Sequence, residues 1–380
     1  MGHFFLDCVN SGTSRFPSLQ ATAEQGQEWV WLTPEGAPPQ QPSDTTQAPF
    51  PVSYRQLTAK DSGGFLSTLP LLGRLFAPFS PDQTNKLSEF FTTHRPRRLV
   101  IQTQNFPPNA AVSKVIEIAS FTGHTKVILE VLDLQGRPKA QKAFELDQSL
   151  TKWLTALVVP SEYMRKQLIK LRGLDPEKVQ MIPPDLGEDK LLAELEQTDT
   201  EATKESSLLA VKLQDPKGVV ALVEGLKRLS GQTAPQKLRL YLIGEPELLT
   251  QCNRALQTAA LELEQPFAGT SQPQEKIISG AQLLVFAGKA PSFYDITACY
   301  GLLFGVPMIS GKQGAVGELV IHQVTGLQID PSDPAAYQQA VELLLADKQT
   351  RTGMSLSAKE RFFRLYARKK SAELFEKLWV

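Results

Sequence analysis

Two lysines stand where a chain could grip a compact anion. Lys212 and Lys217 flank a predicted strand-to-helix loop, and Gly218 follows directly after the second. A nucleotide diphosphate is held by cations and by the free N–H groups of helix N-termini, so two converging ammonium groups would suit one pyrophosphate. Gly218 would let the backbone approach closely. Two solvated lysines ahead of a helix are the plainer alternative. Asp295 falls where it would cap a helix beginning at Ile296, a task that suits aspartate without any catalytic role. Asp133 falls at the carboxyl end of a predicted strand and is a polar candidate for a second substrate. His124 precedes a strand and reads as structural or exposed, while His3, His94 and His322 have no context that suggests catalysis. Cys8, Cys252 and Cys299 lie far apart with no CxxC pair, so a reduced cytoplasmic protein without a metal site is the simplest reading.

The elements that must position these residues follow from hydrophobic patterning. Residues 4–9 read as a strand ending in the turn Asn10-Ser11-Gly12-Thr13, and residues 28–32 as a second strand. Residues 34–51, rich in Pro, Gln, Ser and Thr, read as an irregular loop. Ser80-Pro81-Asp82 opens a helix to about His94, which Pro96 stops. Strands at 98–103, 126–132 and 156–159 alternate with helices at 110–121 and after Ser161. A solvated helix and linker is expected over residues 187–206, after which the pattern restarts. Strands are expected at 208–211, 238–243, 282–287 and 307–310, and helices at 218–229, 246–264, 296–304 and 334–346. Such alternation predicts an α/β chain of two Rossmann-like, doubly wound domains facing across a cleft, with ligands at the carboxyl ends of the strands. The expected limits are 1–185 for the first domain and 186–365 for the second, with a C-terminal helix over 366–380 crossing back to the first. The helical spacing of Phe362, Phe363, Phe375 and Trp379 suits packing.

Composition narrows the classes. A chain of 380 residues with 42% hydrophobic and 21% charged residues can build two cores and is not wholly disordered. Lys+Arg 40 balances Asp+Glu 40, which argues against non-specific nucleic-acid binding. No segment approaches the roughly 20 apolar residues of a membrane span, and Asp7 interrupts the short apolar start, so neither a transmembrane segment nor a secretory signal is expected. Asn10-Ser11-Gly12-Thr13-Ser14 offers one glycine where a dinucleotide fingerprint needs three, and a P-loop is absent.

From Ala156 onward the chain resembles the retaining GT-B glycosyltransferases of the family-4 type. Val158-Val159-Pro160-Ser161-Glu162 resembles their strand-to-helix step, and residues 178–185 their entry to the hinge. Val211-Lys212-Leu213 with Lys217-Gly218 resembles "GRL…KG", and residues 240–244 resemble "lvivG". Gly305-Val306-Pro307-Met308-Ile309 resembles "GvPvi". Gly317-Glu318-Leu319-Val320, then Thr325-Gly326-Leu327 and Pro331-Ser332-Asp333, complete the series. The order and spacing of these segments carry the resemblance over about the last 220 residues.

The resemblance implies transfer of a sugar, with retention, from a UDP- or GDP-sugar to an unidentified glycan, lipid or protein acceptor, without a further cofactor. It places Lys212 and Lys217 on the diphosphate, Gly244 and Glu318 near the nucleotide, and Gly12 in the loop where such enzymes often have a glycine pair. Glu245-Pro246-Glu247 after Gly244 also reads as an ordinary helix start. In the family's donor segment, two glutamates separated by seven residues precede Gly-Val-Pro. Counting back from Gly305 puts Tyr300 and Ser292 at those positions, unless a local deletion aligns Asp295 with the first. Two readings follow: a glycosyltransferase with Asp133 and Asp295 as its catalytic candidates, or a catalytically silent GT-B-like subunit that binds and stabilises a partner glycosyltransferase or a protein substrate. The basic stretch Arg364…Arg368-Lys369-Lys370 reads as a solvated face, with peripheral contact to an anionic membrane as the alternative.

Overall fold

The computed structural model describes residues 3–7, 29–33, 52–56, 81–106, 108, 110–134, 148–197, 207–229, 238–244, 246–258, 274–289 and 292–379. The chain divides into two compact units, Met1–Leu186 with Arg368–Val380, and Gly187–Ala367.

The first unit is built on seven parallel strands: β1 (His3–Asp7), β2 (Trp29–Thr33), β3 (Val52–Gln56), β4 (Arg98–Phe106), β5 (Lys126–Leu134), β6 (Ala156–Val159) and β7 (Val179–Met181). Their order is β3-β2-β1-β4-β5-β6-β7, so the chain winds one way from β1 and the other way from β4. Helices α1 (Pro81–His94), α2 (Ala110–Phe121) and α3 (Glu162–Arg172) alternate with the strands. Residues 99–101, 127–129 and 156–159 are fully buried apolar runs, as a parallel sheet covered on both faces requires. Ser161 caps α3 by accepting from the Met164 amide at 3.0 Å, and Gly173 ends that helix in the left-handed conformation. Strands β4 and β5 run past their expected ends, pairing Asn105 with Asp133 and Phe106 with Leu134, because a ladder tolerates polar residues at its exit from the core. Strand β3 has too weak an apolar alternation to be read from Val-Ser-Tyr-Arg-Gln alone.

The second unit begins with α4 (Glu188–Gln197) and carries five parallel strands: β8 (Ser207–Leu213), β9 (Leu238–Ile243), β10 (Leu283–Ala287), β11 (Met308–Ser310) and β12 (Gly326–Gln328). Their order is β12-β11-β10-β8-β9. The helices are α5 (Pro216–Lys227), α6 (Pro246–Thr258), α7 (Gln274–Ser279), α8 (Ile296–Phe304), α9 (Gly314–Leu319), α10 (Pro334–Ala346) and α11 (Lys348–Leu365). Helix α5 starts two residues before its expected beginning because Asp215 caps it and Pro216 takes the first helical position. Residues 259–264, expected to continue α6, lie outside the described residues. Every residue of β10 is buried, and its flanking strands close over a core that includes Val211, Val285, Ile309 and the wholly buried Tyr337.

Helix α12 (Arg368–Glu376) and a 3₁₀ turn (Lys377–Trp379) return to the first unit. There Phe375 and Trp379 join Val100, Ile128, Val158 and Ile182 in one apolar cluster. The Arg98 guanidinium lies 5.0 Å from the centre of the Trp379 ring, and Lys126 Nζ donates to the Trp379 carbonyl. Arg368 Nε donates to Asp185 Oδ2 at 2.9 Å. Among the described residues no helix is long and apolar enough to cross a membrane.

Candidate functional site

In the second sheet β9 lies on one side of β8 and β10 on the other, so the loops leaving β8 and β10 diverge at the carboxyl edge. Asp215 ties those two loops together. Its Oδ1 accepts from the Gly218 amide at 2.8 Å, capping α5, and its Oδ2 accepts from the Lys289 amide at 2.5 Å. Both glycines at this junction are demanded by space. A Cβ on Gly218 would lie 2.1 Å from Gly288 Cα, and one on Gly288 would lie 2.4 Å from Asp215 Oδ2. Gly288 also has φ +131°, a conformation that side-chain-bearing residues rarely adopt. From beneath, the Tyr337 hydroxyl donates to the Phe286 carbonyl at 2.9 Å and accepts from the Gly288 amide at 3.3 Å. Burial pushes that hydroxyl well above its ordinary pKa, so it stays protonated as this pair of bonds needs.

A pocket of about 290 Å³ opens at this edge. Gln214, Gly288 and Lys289 line one side of it. Gly311, Lys312 and Gln313, which follow β11, line another, and Ile329, Asp330 and Pro331 follow β12. Val316 of α9 completes the wall. Lys289 Nζ is 2.8 Å from Asp330 Oδ1 and 3.1 Å from Ser332 Oγ. The Lys289 hydrogen bond, then the Ser332 amide, hold the Asp330 carboxyl well below the usual carboxylate range. Two ammonium groups, two side-chain amides and a carboxylate beside Val316 and Ile329 suit an anion attached to a larger, partly apolar body.

The sequence-predicted residues divide around this pocket. Lys212 lies within β8, half-buried, on the face opposite its buried neighbours Val211 and Leu213. Its charge acts on Asp295, which is 7% exposed and caps α8 by accepting from the Ala298 amide at 3.1 Å. Burial raises the Asp295 pKa, and Lys212 opposes that rise only in part. Lys212 and Asp295 are therefore brought together, while Lys217 stands exposed in the first turn of α5. Gly244 follows β9, where a Cβ would meet Leu213 Cβ at 3.0 Å. Glu318 is half-buried on α9, its carbonyl accepting from Arg361 at 3.0 Å and its charge reaching Cys299 and Tyr366. None of Lys212, Lys217, Gly244, Asp295 and Glu318 lines the pocket. Asp133 stands in the other unit, on β5 opposite Asn105, and Gly12 lies outside the described residues.

At the donor-segment positions, Tyr300 is buried and stacks on Phe304 with ring centres 6.0 Å apart, while Ser292 Oγ is buried with no hydrogen-bond partner among the described residues. Cys252 and Cys299 are buried free thiols, pushed up by burial to about 11 and about 12. Sequence reasoning missed Lys289 and Lys312, although a signal existed. Two apolar strands in succession end in Gly-Lys, at Gly288-Lys289 and Gly311-Lys312.

Residues 207–347 match the family model described as glycosyl transferases group 1. Over 154 residues the chain is 29% identical to the D-rhamnosyltransferase WbpZ of Pseudomonas aeruginosa, covering 39% of this chain and 40% of that protein. It is 21% identical over 221 residues to a D-inositol 3-phosphate glycosyltransferase of Xylanimonas cellulosilytica, covering 54% and 52%. The chain thus spans about half the length, or less, of these curated relatives. Whole-chain similarity comes from structure. A glycosyltransferase from Rickettsia africae ESF-5 superposes with TM-score 0.70 at 12% identity, covering 100% of this chain and 98% of that one. Anabaena Alr3699/HepE in complex with UDP superposes with TM-score 0.66 at 16% identity, covering 99% of each. The chain has the GT-B fold of two Rossmann-like domains, and its second domain carries the group 1 glycosyl transferases segment.

Proposed function

We propose that this chain transfers a sugar, with retention, from a nucleotide-diphosphate donor whose phosphates sit at the carboxyl edge of the second sheet. The observation that carries this reading is the lysine-rimmed pocket at the strand-order reversal, inside the segment matched by the glycosyl transferases model. UDP in the similar Anabaena structure makes a UDP-sugar the first donor to try, with a GDP-sugar second. Lys217, in the first turn of the α5 helix that follows Gln214, adds a cation near the positive end of that helix. A same-face displacement suits these residues, because the leaving phosphate itself takes the acceptor's proton and the protein supplies orientation and charge. Asp295 is unsuited to act as a nucleophile, since its carboxylate is buried and committed to the cap of α8.

A second reading has a specific observation behind it. Ser292 and Tyr300 occupy the positions of the family's two glutamates, so a silent subunit that stabilises a partner glycosyltransferase remains the competitor. Calorimetry with UDP and GDP tests the donor site: binding of one at micromolar to millimolar concentration is expected, and binding of neither overturns the enzyme reading. Hydrolysis of a bound nucleotide-sugar separates the two readings, since a silent subunit releases no free sugar.

A further inference from the structure

We propose that Asp330 is a built-in competitor for the donor's phosphates: it and a bound diphosphate take turns on the ammonium of Lys289. This rests on the reading of the pocket as the donor site. The root of Lys289 is tied by hydrogen bonds. Its amide is held by Asp215 Oδ2 at 2.5 Å, and the glycine before it is tied to Tyr337 at 3.3 Å. Beyond that root runs a flexible four-carbon stem, so the ammonium can swing while the backbone stays.

Asp330 has a local partner of its own in Ser332. Its Oδ1 accepts from the Ser332 amide at 3.0 Å and from Ser332 Oγ at 2.7 Å, so the carboxylate keeps its position when the lysine leaves. The pair itself is 2.8 Å long, but the two side chains are 45% and 60% exposed. Water and salt screen such a pair, and it contributes little. A pyrophosphate brings more negative charge than one carboxylate and meets Lys312 in the same pocket, so it outcompetes Asp330 for Lys289. Asp330 then stands close to the bound anion and weakens its affinity, which favours release of the nucleoside diphosphate after transfer.

The test is calorimetry of the full chain with UDP and, separately, inorganic pyrophosphate. Asp330→Asn keeps the oxygen that Ser332 needs and removes the charge, so affinity is expected to rise by about threefold to tenfold. Lys289→Ala is expected to lower it by about tenfold, and Lys289→Gln serves if the alanine variant folds poorly. In the Lys289→Ala background, Asp330→Asn is expected to give a clearly smaller gain than in the wild type, since the shared ammonium is gone. Equal gains in both backgrounds, or weaker binding by Asp330→Asn, overturn the proposal. If the wild type binds UDP and these variants change nothing, only this inference falls. If no variant binds either probe, the donor-site reading falls and takes it along.

Discussion

The two oxygens of Asp215 face different elements, one capping α5 and the other holding the amide of Lys289. Removing them therefore loosens both walls of the pocket at once. Asp215→Ala is expected to destabilise the second unit by about 1–3 kcal/mol, the sum of a lost cap and an unpaired amide, read as a shift in urea midpoint. Gly288→Ala meets two obstacles, a φ of +131° and a Cβ 2.4 Å from Asp215 Oδ2. A loss of about 1–3 kcal/mol and of UDP binding is expected from it. Gly353 is the control. It lies in α11, where an added Cβ would meet nothing within 4 Å, so Gly353→Ala should stabilise by about 0.5–1 kcal/mol in the same denaturation assay. At this scale the sequence was partly legible. The Lys212–Lys217 spacing drew attention to the end of β8, while in the folded chain Lys212 acts on Asp295 and the pocket beside that end is lined by Lys289 and Lys312.

Helices whose two ends are written in local chemistry could be read to the residue. Asp295 and Gly305 bound α8, while Asp333 and Pro334 open α10, and each signal acts within one turn. The short elements β7, α7, α9 and β12 were missed, because six- and three-residue pieces carry no measurable period and form only when neighbours bury them. Helix α8 also makes a pH prediction. The folded-state pKa of Asp295 lies above its ordinary 3.8, chiefly through burial, so the native state binds that proton more tightly than the unfolded chain. Stability linked to this group is therefore gained as pH falls through the folded-state value, and the ionised form is a burden at neutral pH. Asp295→Asn keeps a capping oxygen and removes the charge. It is expected to be at least as stable as the wild type at neutral pH, with the advantage fading as the solution becomes acidic. Urea midpoints measured across that range check this; a wild type more stable at neutral pH would mean that Lys212 outweighs burial.

In the molecule as a whole, the last segment of the chain belongs to the first unit, where Phe375 and Trp379 fill the face of the sheet beside Val100 and Val158. Trp379→Ala is expected to cost about 3–5 kcal/mol, and the loss should be local to that unit. Hydrogen exchange is the measurement: residues 98–182 should lose protection while residues 207–347 keep theirs, and equal loss in both would mean that the units unfold as one. The order of amino acids was enough to dictate two rounds of alternating strand and helix, and the limits of α1, α2, α8 and α10 though not of the 18-residue α11, because burial period, caps and turn residues are set by neighbours a few positions apart. Which cations share a pocket was settled only by folding. Gln214, Lys289, Lys312 and Asp330 come from the ends of β8, β10, β11 and β12, and only the order β12-β11-β10-β8 sets those ends side by side. That order arises from pairing between segments as far apart as Leu209 and Leu283, which no local pattern of side chains encodes.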